Sequence, residues 1–143
     1  AGLFVVVGGL AETGVIEMLA NALIDATGGD LFLTIMIMVW ASAIISSFLD
    51  NIPMVATLIP IIMAIGNTGV DVMPYWWAIS LGACIGGIGT LIGASANVVL
   101  SGMSKTYGYP ITFMEYTKVA FPMMLVFTAI SCVYLVLRFC VFV

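Results

Sequence analysis

Asp50 is the one charged residue between Leu31 and Ile65, inside the run LFLTIMIMVWASAIISSFLDNIPMVATLIPIIMAI. A carboxylate at the centre of a bilayer costs roughly 2.5–3.5 kcal/mol on insertion scales, so a chain keeps one mainly where it holds a proton or a cation. Asn51 and Pro53 follow at once. Pro has no N–H and disfavours helix in the residue before it, and Asp, Asn and Pro together are turn chemistry. An acid on a turn, where lipid would otherwise demand unbroken helix, reads as an ion site. A second polar group lies some forty residues on, in GACIGGIGTLIGASAN. There Thr90, Ser95 and Asn97 offer side-chain oxygens, and Gly93-Ala94-Ser95 offers backbone carbonyls. Ser46, Ser47 and Thr57 add hydroxyls near the first turn. Taken singly, such hydroxyls more often back-bond to their own helix or join helices.

The elements that carry these residues are expected to be helical and membrane-embedded. Of 143 residues, 64% are hydrophobic and 7% charged, with a mean hydropathy of +1.30. A soluble domain carries about 25% charged residues. The long runs of Leu, Ile, Val, Met and Ala lack the alternating segments of a barrel, so the fold class is all-α integral membrane. The net charge of −4 brings no basic cluster and so no nucleic-acid partner. There is no His, and Cys84, Cys132 and Cys140 have no metal-ligand spacing, so they are expected as small buried apolar residues. The chain has neither an initiator Met nor a basic leader and is expected to begin inside a larger protein.

Lengths locate the interruptions. A straight span needs about 20 residues to cross a core of about 30 Å. Residues 31–65 as one rod would measure about 52 Å, and 72–104 about 50 Å. The first is too long for one crossing and too short for two, so it is expected to be a re-entrant hairpin turning at Leu49–Pro53. The second holds Gly82, Gly86, Gly87, Gly89 and Gly93. Gly costs a helix interior about 1 kcal/mol relative to Ala, so a broken helix, unwound around Thr90–Ser95, is expected. Close helix packing through small residues is compatible with the same glycines. Residues 119–140 read as a terminal span, 1–10 as the end of another, and 11–28 as an interfacial helix carrying Glu12, Glu17 and Asp25. Trp76 and Trp77 suit an aromatic belt. Lys105 and Lys118 place the 104–118 connection in the cytoplasm and the hairpin mouth outside, although Arg138 then also falls outside.

The stretches SSFLDNIPMVATLIPII and GACIGGIGTLIGASANVVLSG, with Tyr107-Gly108-Tyr109 and Phe113-Met114-Glu115, resemble the C-terminal half of the ion-transporter superfamily. The nearest branch is the melanosomal P-protein permeases, beside arsenite (ArsB-type) permeases and NhaD-type sodium–proton antiporters. The likeness covers essentially the whole chain. It implies one repeat, the second, of an inverted-repeat transporter with a citrate-transporter-like domain. It also implies that Asn51 matches the hairpin-tip asparagine and that Gly93 to Asn97 match the facing loop. In the sodium–dicarboxylate branch the tip reads Ser-Asn-Thr. Here Asp50 and Ile52 flank Asn51, and a fixed negative charge disfavours a dicarboxylate.

The expected function is a proton- or sodium-coupled permease or antiporter with Asp50 as the cation or proton site. Its ligand set would be Asp50, Asn51, Ser46, Thr90, Gly93, Ala94, Ser95 and Asn97, with Asp50 and Asn51 on a sodium ion. Two alternatives are a sodium-coupled dicarboxylate transporter and a non-transporting structural subunit. One buried acid, no HExxH and no His leave no enzyme site. No cofactor is expected beyond a coupling sodium ion or proton. The expected partners are the lipid membrane, the missing N-terminal repeat, a small ion or oxyanion, and a second copy in a full-length homodimer. The location is the cell membrane of a prokaryote or an organellar membrane.

Overall fold

A computed structural model describes Gly2, Val5, Gly8, Gly9 and residues 12–141. The span expected over 1–10 therefore lies largely outside the described residues. The described elements are helices joined by turns: α1 (Val15–Thr27), α2 (Leu31–Ser46), α3 (Asn51–Gly66), α4 (Met73–Gly86), α5 (Ser95–Thr106) and α6 (Phe113–Val136), with a π-helical turn at Leu137–Val141. No strand occurs among the described residues.

Local chemistry sets most of the ends. Gly28 and Gly29, with φ of 60° and 76°, close α1 in a left-handed turn that costs glycine little. Asp30 then starts α2, its carboxylate accepting the Phe32 N–H at 3.0 Å. Pro74 sits in the first turn of α4, where a missing N–H leaves no gap. Thr112 and Glu115 form a reciprocal capping box at the head of α6.

The centre of the molecule is the pair α2 and α4. On α2 the buried residues are Thr34, Ile35, Met38, Val39, Ser42, Ala43 and Ser46. On α4 they are Pro74, Tyr75, Ala78, Ile79, Gly82, Ala83 and Gly86. Each set is a single helical stripe. The stripes meet with the two helices running the same way. Ile35 shares a core with Tyr75 and Ile79, a Cβ on Gly82 would strike the Ser42 hydroxyl, and one on Gly86 would stand 2.3 Å from the Ala43 carbonyl oxygen. α6 runs against them. Its Met124 methyl lies 3.1 Å from where a Gly89 Cβ would stand, while Cys132 and Leu135 join the cluster of Ile35 and Tyr75.

The chain reverses after α2. Ile62 and Ile65, late in α3, sit in the same buried cluster as Ile35 and Val39, early in α2. As one rod, Ile35 and Ile65 would be about 45 Å apart. The reversal occupies Ser47–Asp50, so it begins two residues before the expected Leu49. Pro53 is not in it. It is the third residue of α3, where its fixed φ suits a helix start. The second interruption runs from Gly87 to Ala94, three residues earlier than expected, and Ser95 already begins α5.

Among the described residues one element is long and apolar enough to cross a membrane, Phe113–Val141, at 29 residues and mean hydropathy 2.2. α2 and α3 are equally apolar but have 16 residues each. α1 adds Ala20, Leu23 and Ile24 to the core cluster and turns Asp25 outward. Cys132 is buried, whereas Cys84 and Cys140 are exposed, which corrects the expectation of three buried thiols. Their apolar surroundings mark lipid- or partner-facing surface rather than core.

Candidate functional site

The two interruptions meet. Thr90, fully buried in the second, donates its hydroxyl to the carbonyl of Ser47 in the first. Glycine makes that approach possible. A Cβ on Gly89 would stand 2.9 Å from the Ser47 Cβ. At Gly93, a Cβ would meet three carbonyl oxygens at once, Gly87 and Ser47 at 2.9 Å and Ser46 at 3.0 Å. Two of these belong to the last turn of α2, whose carbonyls lack helical partners and carry the negative end of its dipole.

Ser46 is the joint between α2, α3 and α4. Its hydroxyl is completely buried and lies 2.9 Å from the Ala83 carbonyl and 2.5 Å from Asn51 Oδ1. The Asn51 amide lies flat on Gly87, with Oδ1 2.7 Å and Nδ2 2.9 Å from the place of a Cβ. Across the break, Asn97 Nδ2 donates to the carbonyls of Gly87 (2.9 Å) and Thr90 (3.1 Å), so it ties the start and the middle of the irregular loop to the first turn of α5.

Asp50 stands at the edge of this network. It is half-buried and precedes α3 as its N-cap, Oδ1 accepting the Asn51 N–H at 2.9 Å. A carboxylate there favours the positive end of α3. Its second oxygen has no partner among the described residues. Ala94 is the extended residue before α5 and supplies no side-chain cap. Ser95 is exposed, and its hydroxyl makes no hydrogen bond among the described residues.

The structure thus brings Ser46, Asn51, Thr90, Gly93 and Asn97 into one interface, places Asp50 on its rim, and leaves Ser95 outside it. Thr57 bonds to its own helix at Met54 and takes no part. Three contributors lay outside the expected ligand set: Ser47 through its carbonyl, Gly87 as both carbonyl and platform, and Ala83 through its carbonyl. Backbone acceptors have no residue signature. Only the glycine density around position 87 pointed there. No cluster of His, Cys, Asp or Glu able to hold a metal occurs among the described residues.

Among the described residues, apolar helices are broken by two irregular segments that meet, an arrangement that suits a membrane-embedded helical domain. Comparison with known families is specific. The chain belongs to the citrate transporter family, which matches residues 1–142. Among its relatives are an uncharacterized transporter of Mycobacterium tuberculosis, 43% identical over 99% of this chain and 34% of the relative, and the 46 kDa membrane protein of Mycobacterium leprae, 40% identical with the same coverage. Human P protein is 41% identical over 94% of this chain and 17% of its own length. The resemblance to P-protein permeases read from the two motifs therefore holds. The chain spans about a third of the length of the mycobacterial relatives it matches.

Proposed function

We propose that this chain is one repeat of a secondary active transporter in which Asp50 is the proton or cation site of a coupled permease. The observation that carries the reading is the meeting of two non-helical segments, Ser47–Asp50 and Gly87–Ala94, through Thr90 and Gly93. Irregular backbone at membrane depth is tolerated only inside protein or beside a water-filled cavity, which is where transporters place their sites.

α6 supplies the depth. Met124, which meets the second interruption at Gly89, comes eleven residues after Phe113 and twelve before Val136. If α6 crosses the bilayer, both interruptions lie at its midplane. The arms α2 and α3, about 24 Å each at 16 residues, are then long enough to run from the midplane to one surface. That is the re-entrant hairpin.

A proton and a cation exclude one another on a single carboxylate oxygen. Competition between proton and cation for the spare oxygen of Asp50 is the simplest basis for coupling. Sodium, as cargo, would also find the carbonyl-rich end of α2 and the Asn51 amide, an all-oxygen donor set suited to a hard cation.

A second reading is uptake of a carboxylate anion, favoured by the family's description as citrate transporters and by the uncapped start of α5 at Ala94. Free N–H groups at a helix start attract anions. In this reading Asp50 is neutralised by its cation before the anion arrives.

The test uses the full-length protein in vesicles with an imposed pH gradient. Asp50→Asn keeps the helix cap and removes the titrating group. Loss of coupled flux and of its pH dependence supports the assignment. Unchanged coupling sinks it. Sodium- or proton-dependent uptake of labelled citrate that survives in Asp50→Asn would favour the second reading.

A further inference from the structure

Asn97 stands third in α5, and its side chain reaches back over the irregular loop to residues 10 and 7 places earlier. Its amide nitrogen carries two hydrogens, and both are taken, one by the Gly87 carbonyl at 2.9 Å and one by the Thr90 carbonyl at 3.1 Å. An amide oxygen in that place would face two other oxygens with no hydrogen between them, so the orientation of the group is fixed by its partners.

Both partners support the hairpin tip. Gly87 is the surface on which the Asn51 amide lies. Thr90 donates its hydroxyl to the Ser47 carbonyl. Ser47 and Asn51 bracket the tip, with Asp50 between them. Each side of the tip therefore rests on a residue whose carbonyl Asn97 holds. The rest of α5 contributes little to the core. The helix buries none of its residues. Its other side-chain bonds to a different segment run from Ser101 and Ser104 to the carbonyls of Ile111 and Tyr109, ahead of α6. A change at Asn97 thus removes a clamp without opening a core cavity.

We infer that Asn97 is a positioning residue for the tip that carries Asp50. Its amide fixes the spacing of Gly87 and Thr90, and with it the seat of Asn51 and Ser47. It acts through these backbone groups and spends both hydrogens on them. A site loses function when its groups stray by more than about 0.5 Å, so a clamp one step removed from the ion still governs how well the ion is held. The consequence for transport rests on Asp50 being the proton or cation site; the consequence for the shape of the tip does not.

The experiment uses the full-length protein, in nanodiscs for backbone hydrogen exchange and in vesicles for flux. Asn97→Asp keeps the shape and loses the paired donors, while Asn97→Gln keeps both hydrogens on a longer arm. In Asn97→Asp, exchange should quicken about tenfold in residues 87–93 and also in residues 47–51. The half-saturating concentration of the driving cation, titrated as sodium and as protons, should shift about tenfold, with the maximal rate within about threefold of the unmodified protein. Asn97→Gln should fall between the two in both measurements. Faster exchange confined to α5, with 47–51 unchanged, overturns the inference, because the amide then anchors α5 and nothing else. A fall in maximal rate with half-saturation unchanged overturns it too. Where Asp50→Asn leaves coupling unchanged, the reading of Asp50 has failed, and exchange at 47–51 alone decides on Asn97.

Discussion

α2 and α4 pack along their whole lengths, but the two ends of that contact are built differently. Toward the start of each helix, Ile35, Val39, Tyr75 and Ile79 keep the backbones apart with large buried side chains. Toward the interruptions, Gly82 and Gly86 bring one backbone onto the other, with Ser42, Ala43 and Ser46 as the facing residues. The first end is fixed by shape and the second by hydrogen bonds between groups with no room to move. Apolar packing tolerates small repacking, whereas a backbone-to-backbone contact tolerates no added atom. A site that must hold oxygens to a fraction of an ångström belongs at the second end.

Substitutions at four positions can break or sharpen this contrast, each followed by thermal unfolding of the purified full-length protein and by transport in vesicles. Gly86→Ala should cost most, about 3 kcal/mol, because its methyl would lie 2.3 Å from the Ala43 carbonyl oxygen and the obstacle is backbone; transport should be lost with it. Ile35→Ala, at a fully buried position, should cost about 2 kcal/mol, the low end for a core cavity because lipid is as apolar as the core. Its transport, corrected for folded protein, should stay within about twofold, following the modest reach of a cavity distant from the site. If Ile35→Ala destroyed coupling while Gly86→Ala spared it, the division into two ends would be wrong. Thr90→Val should cost about 1–2 kcal/mol by leaving the buried Ser47 carbonyl without its donor, and Thr90→Ser should restore most of it. Ser95→Ala should change stability by less than about 0.5 kcal/mol, because that hydroxyl is exposed and unbonded among the described residues.

The same division explains what was legible in the sequence. Both interruptions announced themselves because their causes are local: Asp50-Asn51 at one, and at the other Gly87, Gly89 and Gly93, while Gly82 and Gly86 belong to the packing face of α4. Their edges moved by two or three residues, since Pro53 serves the start of α3 as well as it would serve a turn. Asp50 is conspicuous by charge, but its capping of α3 depends on where that helix begins, which composition does not fix. Ser46 and Asn97 could be named as polar residues near the breaks. Their tasks, bridging to Ala83 and clamping Gly87 to Thr90, are long-range pairings that no spacing reveals. Thiol burial misled for a related reason. In a chain this apolar, hydropathy does not separate residues facing the core from those facing outward, as exposed Cys84 and Cys140 show.

Ser46 owns a single hydroxyl hydrogen, yet two oxygens lie within its reach, on Ala83 and on Asn51. When the hydrogen points to Ala83, only a lone pair is left for the amide, and Asn51 must present its NH2 and swing its carbonyl round toward Gly87. When it points to Asn51, the amide is pinned the other way. The face that the Asn51 amide presents at the head of α3 is thus set by one buried rotor on α2, Ser46.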